Sequence, residues 1–500
     1  MRITNKIIQN NSLTNVNNNK ILQDKLSTQL ATGKKIDRPS EDPIVALRSL
    51  RLRTSVNQTD QYLNKNVTDA RSWLTVTEDA IGTLSEIITD MRKQYVKGSS
   101  DSLTVSDREI IRESLEAFQQ EVFNTGNADF AGRSVFTGYR TESPLTFQTN
   151  EDVNYKITQT FRMEAGDEKS SAMLADKIDY VNAVDLKVDG TVEQQVEVFT
   201  NENAIDRFRL AYNNCTADDI TITFNGTAQT VTATSVNDIP SPYLQITQDP
   251  DSIIFINETG EVLLGKNVAQ AYRNSKSEIT VEYNKSDWNK GDLCPEHYFQ
   301  CTKTVIKDGT PTTLDYNVSG ANGEIEYNIG VNQTLRVNTL ANECFNHDIA
   351  RDIDDMIAAI DNVEMIEKTL GELKSELDSI PETQQAQRKV VQDKIDAARK
   401  AQTYYNDILQ KTFSKGITKA DNYLNRNNLA LTDCGTRSKR LDLIENRLDT
   451  QMFTLEELKS DNEDADYAET AIKLSSATYA YDAALMATGK IMKESLLDYI

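Results

Sequence analysis

Histidine is nearly missing from these 500 residues: there are two, His297 and His347. That leaves little material for acid-base or nucleophilic catalysis as usually built, and no Ser-His-Asp set or phosphate-cradling glycine loop stands out, so an enzyme is not expected. Cysteine is also scarce. Cys215, Cys294, Cys301, Cys344 and Cys434 are odd in number and scattered, which excludes a disulfide framework. Cys294, His297 and Cys301 fall within eight residues, but their spacing fits no standard zinc pattern, and neither a metal nor a cofactor is expected. Positive charge is short, 54 Lys and Arg against 77 Asp and Glu, and the net charge of -23 repels nucleic acid and anionic membrane alike. No long apolar run occurs and the mean hydropathy is -0.54, so membrane insertion is not expected. The start, MRITNKIIQNNSLTNVNNNK, lacks the apolar core of a secretory signal.

What is present begins with the tail, Glu463 to Ile500. Tyr467, Ala471, Leu474, Thr478, Tyr481, Leu485, Thr488 and Met492 recur at steps of four and three, predicting a helix with one narrow apolar seam. Ala468, Ser475, Ala477, Ala480, Ala483, Ala484 and Ala487 flank it with small side chains that admit a second backbone. At the other end, Ile3, Ile7, Leu13, Val16, Leu22, Leu26 and Leu30 form a thin stripe in an asparagine-rich segment, which alone should be largely disordered. Thr32-Gly33 ends that stripe. KKIDRPSEDP, Lys34 to Pro43, sets two prolines four apart and predicts a stiff, turn-rich loop.

Helix is expected from Ile44 to Val96, ended by Gly98-Ser99-Ser100, and again from Asp107 to Asn124 behind a capping box of Ser106 and Glu109. Residues 124 to 147 read as turns and short strands. From Gln148 to Leu340 the texture is β, with Asn225-Gly226 the strongest hairpin signal, and thin apolar content suggests a solvent-facing module without a deep pocket. Helix returns from Asp352 to Ile380 and stops at Pro381. A further helix is expected from Thr383 to Phe413, then a third, interrupted at Gly435, carrying Leu441, Ile444 and Leu448. The acidic runs Asp352, Asp354, Asp355 and Glu463, Asp464, Asp466 read as solvated helix faces or helix starts. The expected fold is mainly α with an inserted β-rich region, the N- and C-terminal helices paired as a coiled-coil rod and the β domain or domains at the far end. Its expected parts are 1–33 with 460–500, 34–147 with 341–459, and 148–340.

The two ends carry a resemblance. MRIT at residues 1–4, QLATGKKIDRPSEDP from Gln29, SVFTGYRTESPLTF from Ser134, GTRSKRLDLIENRLD from Gly435, SDNEDADYAETAIKL from Ser460 and ATYAYDAALMATGKIMKESLLDYI from Ala477 resemble bacterial flagellin and its relatives at the hook-filament junction. GEIEYNIGVNQTLRVNTLANECF, from Gly323, looks like a strand segment of the type 3 hook-associated branch. The likeness covers residues 1–147 and 320–500; residues 148–318 are an insertion beyond it, and 361–415 is longer than the usual connection.

The resemblance implies a structural, extracellular flagellar protein at the hook-filament junction, exported unfolded through the flagellar type III channel. Its partners would be copies of itself, the neighbouring hook-associated protein and flagellin, and an export chaperone on the C-terminal helix. The implied assembly seam is Ile3, Ile7, Leu22, Leu26, Leu30, Tyr467, Ala471, Leu474, Tyr481, Leu485, Met492 and Leu496, and the implied inter-domain loop is Arg38, Pro39, Ser40, Asp42 and Pro43. Filament flagellin is the neighbouring alternative. Outside the class stands an adhesin using the inserted β region, with Trp288, Tyr298 and Tyr243 as stacking residues.

Overall fold

The computed structural model describes residues 5–100, 103–164, 172–183, 196–200, 203–307, 310–317 and 323–493. In chain order come α1 (Asn5–Thr32), α2 (Pro43–Asp60), a π-helical turn (Gln61–Val67) running into α3 (Thr68–Gly98), and α4 (Val105–Thr125). The strands β1 (Asp129–Phe130), β2 (Arg133–Ser134), β3 (Glu151–Arg162), β4 (Met173–Leu174), β5 (Asp176–Ile178), β6 (Tyr180–Ala183), β7 (Val196–Phe199), β8 (Ile205–Arg209), β9 (Ile220–Phe224), β10 (Thr227–Val231) and β11 (Ala233–Thr234) follow. Then come α5 (Pro242–Gln248), β12 (Ile253–Ile256), β13 (Glu261–Leu264), α6 (Lys266–Ser275), β14 (Ile279–Trp288), β15 (Gln300–Lys307), β16 (Thr310–Tyr316), β17 (Glu326–Gly330) and β18 (Gln333–Arg336). The chain closes with α7 (Ala341–Cys344), α8 (Asp348–Ser379), α9 (Gln385–Glu463) and α10 (Tyr467–Lys493). Mainly helical ends around a β-rich middle are what the sequence pattern predicts.

These elements form two compact units, Met1–Ala70 with Tyr327–Leu335 and Lys439–Ile500, and Arg71–Glu326 with Arg336–Ser438. In the first, Asp42 starts α2 by accepting from the amides of Ile44 and Val45, both at 3.0 Å, with Pro43 preset for the first helical position. Val56, Leu63, Val67, Leu441, Ile444 and Leu448 are among its buried apolar residues.

In the second unit α4 lies on α8. Ile111, Leu115 and Val122 of α4 and Ile353, Ile360 and Val363 of α8 are buried, and Gln119 Nε2 donates to Asp354 Oδ1 at 3.1 Å. Arg92 of α3 bonds Asp421 of α9 at 2.7 Å, and Asn427 Nδ2 donates to the Ile81 carbonyl at 3.0 Å. The end of α8 and the start of α9 form a hairpin cored by Ile366, Leu370 and Leu373 with Val391, Ile395, Ala398 and Ala401.

Two helical expectations are corrected here. The cap of α4 is Thr104 with Asp107, not Ser106 with Glu109: the helix begins at Val105, and the Thr104 amide donates to Asp107 Oδ2 at 3.0 Å while the Asp107 amide donates to Thr104 Oγ1 at 3.2 Å. The two helices expected after Pro381 are one helix of 79 residues, uninterrupted at Gly435. A single glycine costs a helix only about 1 kcal/mol, and no proline follows Pro381.

The β-rich middle is a seven-stranded sheet ordered β10-β9-β14-β3-β15-β16, with β4 parallel to β3, and a five-stranded sheet ordered β11-β12-β13-β8-β5. Asn225 and Gly226 both have positive φ, 49° and 78°, as the tight turn between β9 and β10 requires. Tyr155, Ile157, Gln159 and Phe161 of β3 and Ile279, Val281, Tyr283 and Lys285 of β14 alternate inward. The thin apolar content therefore understated the core. Trp288 is fully buried, stacked on Phe147 at 4.8 Å and edge-on to Tyr155 and Tyr212. Its indole Nε1 donates to the Val153 carbonyl at 2.8 Å. Helices α5 and α6 were not foreseen; Pro242 at the first turn of α5 and buried Ala269 and Tyr272 in α6 are their local signals.

Candidate assembly site

The terminal helices α1 and α10 run antiparallel and close together. Asn19 Nδ2 donates to the Ala480 carbonyl and Gln23 Nε2 to Thr478 Oγ1, both at 3.3 Å, and further along Gly33 meets Tyr467. The less exposed positions of α1 include Gln9, Ser12, Val16, Asn19, Gln23, Leu26 and Leu30, at steps of three and four, with Thr28 and Gln29 joining them at the end of the helix. Those of α10 include Thr470, Leu474, Ala477, Tyr481, Ala484 and Thr488, at steps of four and three, with Thr478 beside Ala477. Both series have the 3.5-residue period of helices that wrap on one another. The filling is unusual: glutamine, serine, asparagine, threonine and alanine supply most of it, and Val16, Leu26, Leu30, Leu474 and Tyr481 carry the rest.

The apolar residues of the pair largely face outward. Ile7 (49% exposed), Leu13, Ile21 and Leu22 on α1 and Ile472 (68%), Tyr479, Leu485 and Met486 (72%) on α10 are open. Of the predicted seam, Leu26, Leu30, Leu474 and Tyr481 lie at the contact between the two helices, Tyr467 is mostly exposed with its hydroxyl against Gly33, and Ile7, Leu22, Ala471 and Leu485 point away. Ile3 and Leu496 lie outside the described residues, as does the side chain of Met492. A search for apolar repeats could not find Gln9, Ser12, Asn19, Gln23 or Thr470, though it did include Thr488. Their signal is a heptad of small and polar residues, readable only against the matching heptad on the partner helix.

Where α1 turns into α2 and α9 into α10, the two connections bind each other. The Lys35 amide donates to the Glu463 carbonyl at 2.7 Å and the Ala465 amide to the Gly33 carbonyl at 2.9 Å. Gly33 takes φ +69°, and a Cβ there would stand 2.6 Å from Tyr467 Oη, so both backbone and space call for glycine. Glu463, only 4% exposed, is the hub: Arg53 donates to it from Nε at 2.6 Å and Nη2 at 2.8 Å, Ser49 Oγ bonds it, and Lys34 lies at 3.6 Å. Its carboxyl is held down to about 2, first by the Arg53 hydrogen bonds, and Lys34 and Asp464 reinforce each other through their own bond. Glu463 was read as a solvated position and is instead enclosed, because three sequence-distant groups, Ser49, Arg53 and Lys34, converge on it. In the predicted loop, Asp42 and Pro43 start α2, while Arg38, Pro39 and Ser40 are exposed.

The second unit holds a group that sequence reasoning missed. Arg207 and Arg209, on the fully buried strand β8, meet Glu261, Asp352 and Asp355. Arg207 Nη2 reaches Asp355 at 2.6 Å and Arg209 Nη1 reaches it at 2.5 Å. Asp352, 3% exposed, also accepts from Lys419 at 2.7 Å and Tyr423 at 2.5 Å. Burial alone would raise the Asp355 carboxyl, but Arg207 and Arg209 override it and hold it below the usual range. Asp352 and Asp355 are thus paired inside the unit, not solvated. A cavity of about 390 Å³ lies beside them, lined by Asp176, Tyr243, Glu261 and Lys419 among others. Around it Arg207, Arg209 and Lys419 pair with Asp176, Glu261, Asp352 and Asp355, so the cluster reads as a lock between strand and helix. The proposed stacking residues are not a surface platform: Trp288 is enclosed, Tyr243 bonds Glu261 at 2.5 Å and stacks on Tyr180, and the Tyr298 hydroxyl is buried. No helix among the described residues is long and apolar enough to cross a membrane.

Comparison with known proteins finds a family match in the N-terminal region. Residues 3–141 match the family model of the bacterial flagellin N-terminal helical region. The flagellar hook-associated protein 3 of Salmonella typhimurium is 27% identical over 144 residues, 29% of this chain and 45% of the relative. A flagellin of Clostridium tyrobutyricum is 24% identical over 168 residues, 32% of this chain and 44% of the relative. The match to these curated relatives thus spans under half of their length. Among solved structures, flagellar hook-associated protein 3 of Legionella pneumophila aligns with a TM-score of 0.30 at 13% identity, covering 82% of this chain and 97% of that one.

Proposed function

We propose that this chain is a structural component of the bacterial flagellum, a hook-filament junction protein that assembles through its terminal helices. The observation that carries the reading is the inverted pair α1 and α10, which spends polar and small residues on its own contact and keeps Ile7, Ile21, Leu22, Ile472, Tyr479, Leu485 and Met486 outward. Such rows gain roughly 25 cal/mol per Å² once neighbouring copies cover them. The predicted seam then divides: Leu26, Leu30, Leu474 and Tyr481 hold the pair, Tyr467 packs its hydroxyl on Gly33, and Ile7, Leu22, Ala471 and Leu485 meet other subunits. Contacts that repeat around an axis without closing are heterologous, which suits a tubular layer.

In this reading the protein is extracellular and not an enzyme. Residues 34–43 set the orientation of the terminal segments, with Arg38, Pro39 and Ser40 free for a neighbour. A hook-associated protein and flagellin adjoin it on either side, and a cytoplasmic export chaperone shields α10 before passage. The match to a hook-associated protein 3 supports the junction, and the match to a flagellin keeps the filament as the second reading. Immunogold electron microscopy of intact flagella, with antibody raised against residues 148–318, separates them. Label confined to a band between hook and filament is expected. Label along the filament makes the chain a flagellin, and unlabelled flagella refute both.

A further inference from the structure

We propose that Cys294, Glu296 and His297 form a binding site for one divalent cation of borderline softness, with zinc as the type. The ligand atoms of the three residues lie within 4.8 Å of one another, and all three side chains are buried, at 5%, 6% and 9% exposed. The cause is local. Pro295–His297 is a turn of 3₁₀ helix entered from Cys294, and residues three apart on such a helix eclipse, which brings Cys294 and His297 to one side. The turn is fastened: the Cys294 amide donates to the Leu145 carbonyl and the Phe299 amide to the Pro295 carbonyl, both at 2.9 Å.

A second observation points to a ligand. Glu296 Oε2 is buried and has no hydrogen-bond partner. The neighbouring cation does not answer it, since Arg140 donates to the backbone carbonyl of Glu296 and lies over the Tyr316 ring at 4.6 Å. Lys303 is likewise engaged over the Tyr155 ring at 5.2 Å, and the Tyr155 hydroxyl, which lies against the Glu296 carboxylate, makes no hydrogen bond of regular geometry to it. An enclosed carboxylate oxygen facing a thiol and an imidazole is costly unless a cation joins them.

The donor set matches the cation in kind and charge. His297 Nε2 bonds the Pro144 carbonyl oxygen at 3.1 Å, which can only accept, so Nε2 carries the proton and Nδ1 keeps the lone pair. Binding exchanges the Cys294 thiol proton, released to solvent, for a metal-sulfur bond. Thiolate, carboxylate and neutral imidazole then sum with a divalent ion to zero charge, and a fourth position of the tetrahedron stays open to water. Cys301 does not join the converging atoms, so the predicted trio is replaced by one containing Glu296. In a chain whose five cysteines are all free thiols, the ion would brace the single turn before β15 from which all three ligands come.

The test uses the full chain, stripped with chelator, exposed to zinc or cobalt(II) alone and desalted. We expect about one equivalent of metal retained, with a sulfur-to-cobalt charge-transfer band in the cobalt form. Cys294→Ser should abolish the band, and Cys301→Ser should leave it intact. Glu296→Gln, nearly isosteric, keeps the test decisive if the cysteine variant misfolds. Loss of an outer-shell partner alone costs about 10–100-fold in affinity, so Glu296→Gln should cost at least tenfold. A wild-type chain that retains no metal, or retention unchanged by Glu296→Gln, overturns the site.

Discussion

Replacing Asp352 by alanine should destabilise the second unit more than any single surface change, and its size follows from the groups left behind. The substitution strips an acceptor from Arg209, from Lys419 at 2.7 Å and from Tyr423 at 2.5 Å. Arg209 is 8% exposed, so its charge cannot recover its hydration. Removing one partner of a buried ion pair costs about 3–5 kcal/mol. Because Arg209 keeps Asp355, the lower end, about 3 kcal/mol, applies. For a unit this large each kcal/mol lowers Tm by about 2 °C, so a fall of about 6 °C is expected in thermal unfolding followed by circular dichroism at pH 7. Asp352→Leu combined with Arg209→Met should recover part of the loss, since an apolar pair removes the stranded charge along with its partner. A Tm for Asp352→Ala within about 1 °C of wild type, under 1 kcal/mol by the same conversion, would show that the cluster does not lock strand β8 to helix α8.

Other expectations concern the first unit. Glu463 has its folded pKa lowered from 4.5 to about 2, so its contribution is complete above pH 4.5 and drains away as pH falls toward 2. With Arg53 and Lys34 about half exposed, we expect roughly 1–2 kcal/mol, and Glu463→Gln should lose it at pH 7 and flatten the acid limb of stability against pH; an unchanged limb refutes the hub. Gly33→Ala should cost roughly 1–2 kcal/mol for the left-handed backbone alone, read as lost amide protection in α1, and Tyr467→Phe should not restore it. Leu485→Asp should leave the monomer's circular dichroism unchanged and stop polymerisation measured by light scattering, whereas Leu474→Asp should also unfasten α1; identical behaviour of the two would contradict the division of the seam. Deleting residues 150–318 should destabilise the second unit, because it removes Arg207 and Arg209 and strands Asp352 and Asp355; a deletion protein as heat-stable as the parent would refute this.

Long helices and hairpins were legible because their signals are local. Pro381 stops α8, Asn225-Gly226 turns β9 into β10, and Asp42-Pro43 starts α2. What escaped depends on groups far apart in the chain. Asp352 looks like a solvated helix residue until Arg209, 143 positions away, is placed beside it. Glu463 is enclosed by Ser49 and Arg53, more than 400 positions away. Gly435 failed as a helix breaker because flanking burial at Cys434 and Leu441 outweighs a local penalty. The pairing of α1 with α10 was expected, but its filling was only partly legible: hydrophobicity marked Leu26, Leu30, Leu474 and Tyr481 and otherwise the face that stays outside, and the rest of the inner face is nearly as polar as solvent-facing helix.

That inversion governs how such a molecule behaves in bulk. Contacts that one copy cannot satisfy contribute nothing while copies are few, so the free chain accumulates without change until its concentration crosses a threshold. Beyond it, each added copy covers a row already presented by the last, and the free subunit is held at a fixed level, as over a growing crystal. Substitutions on the outer rows of α1 and α10 would move that saturation point while leaving the melting of a single molecule where it was.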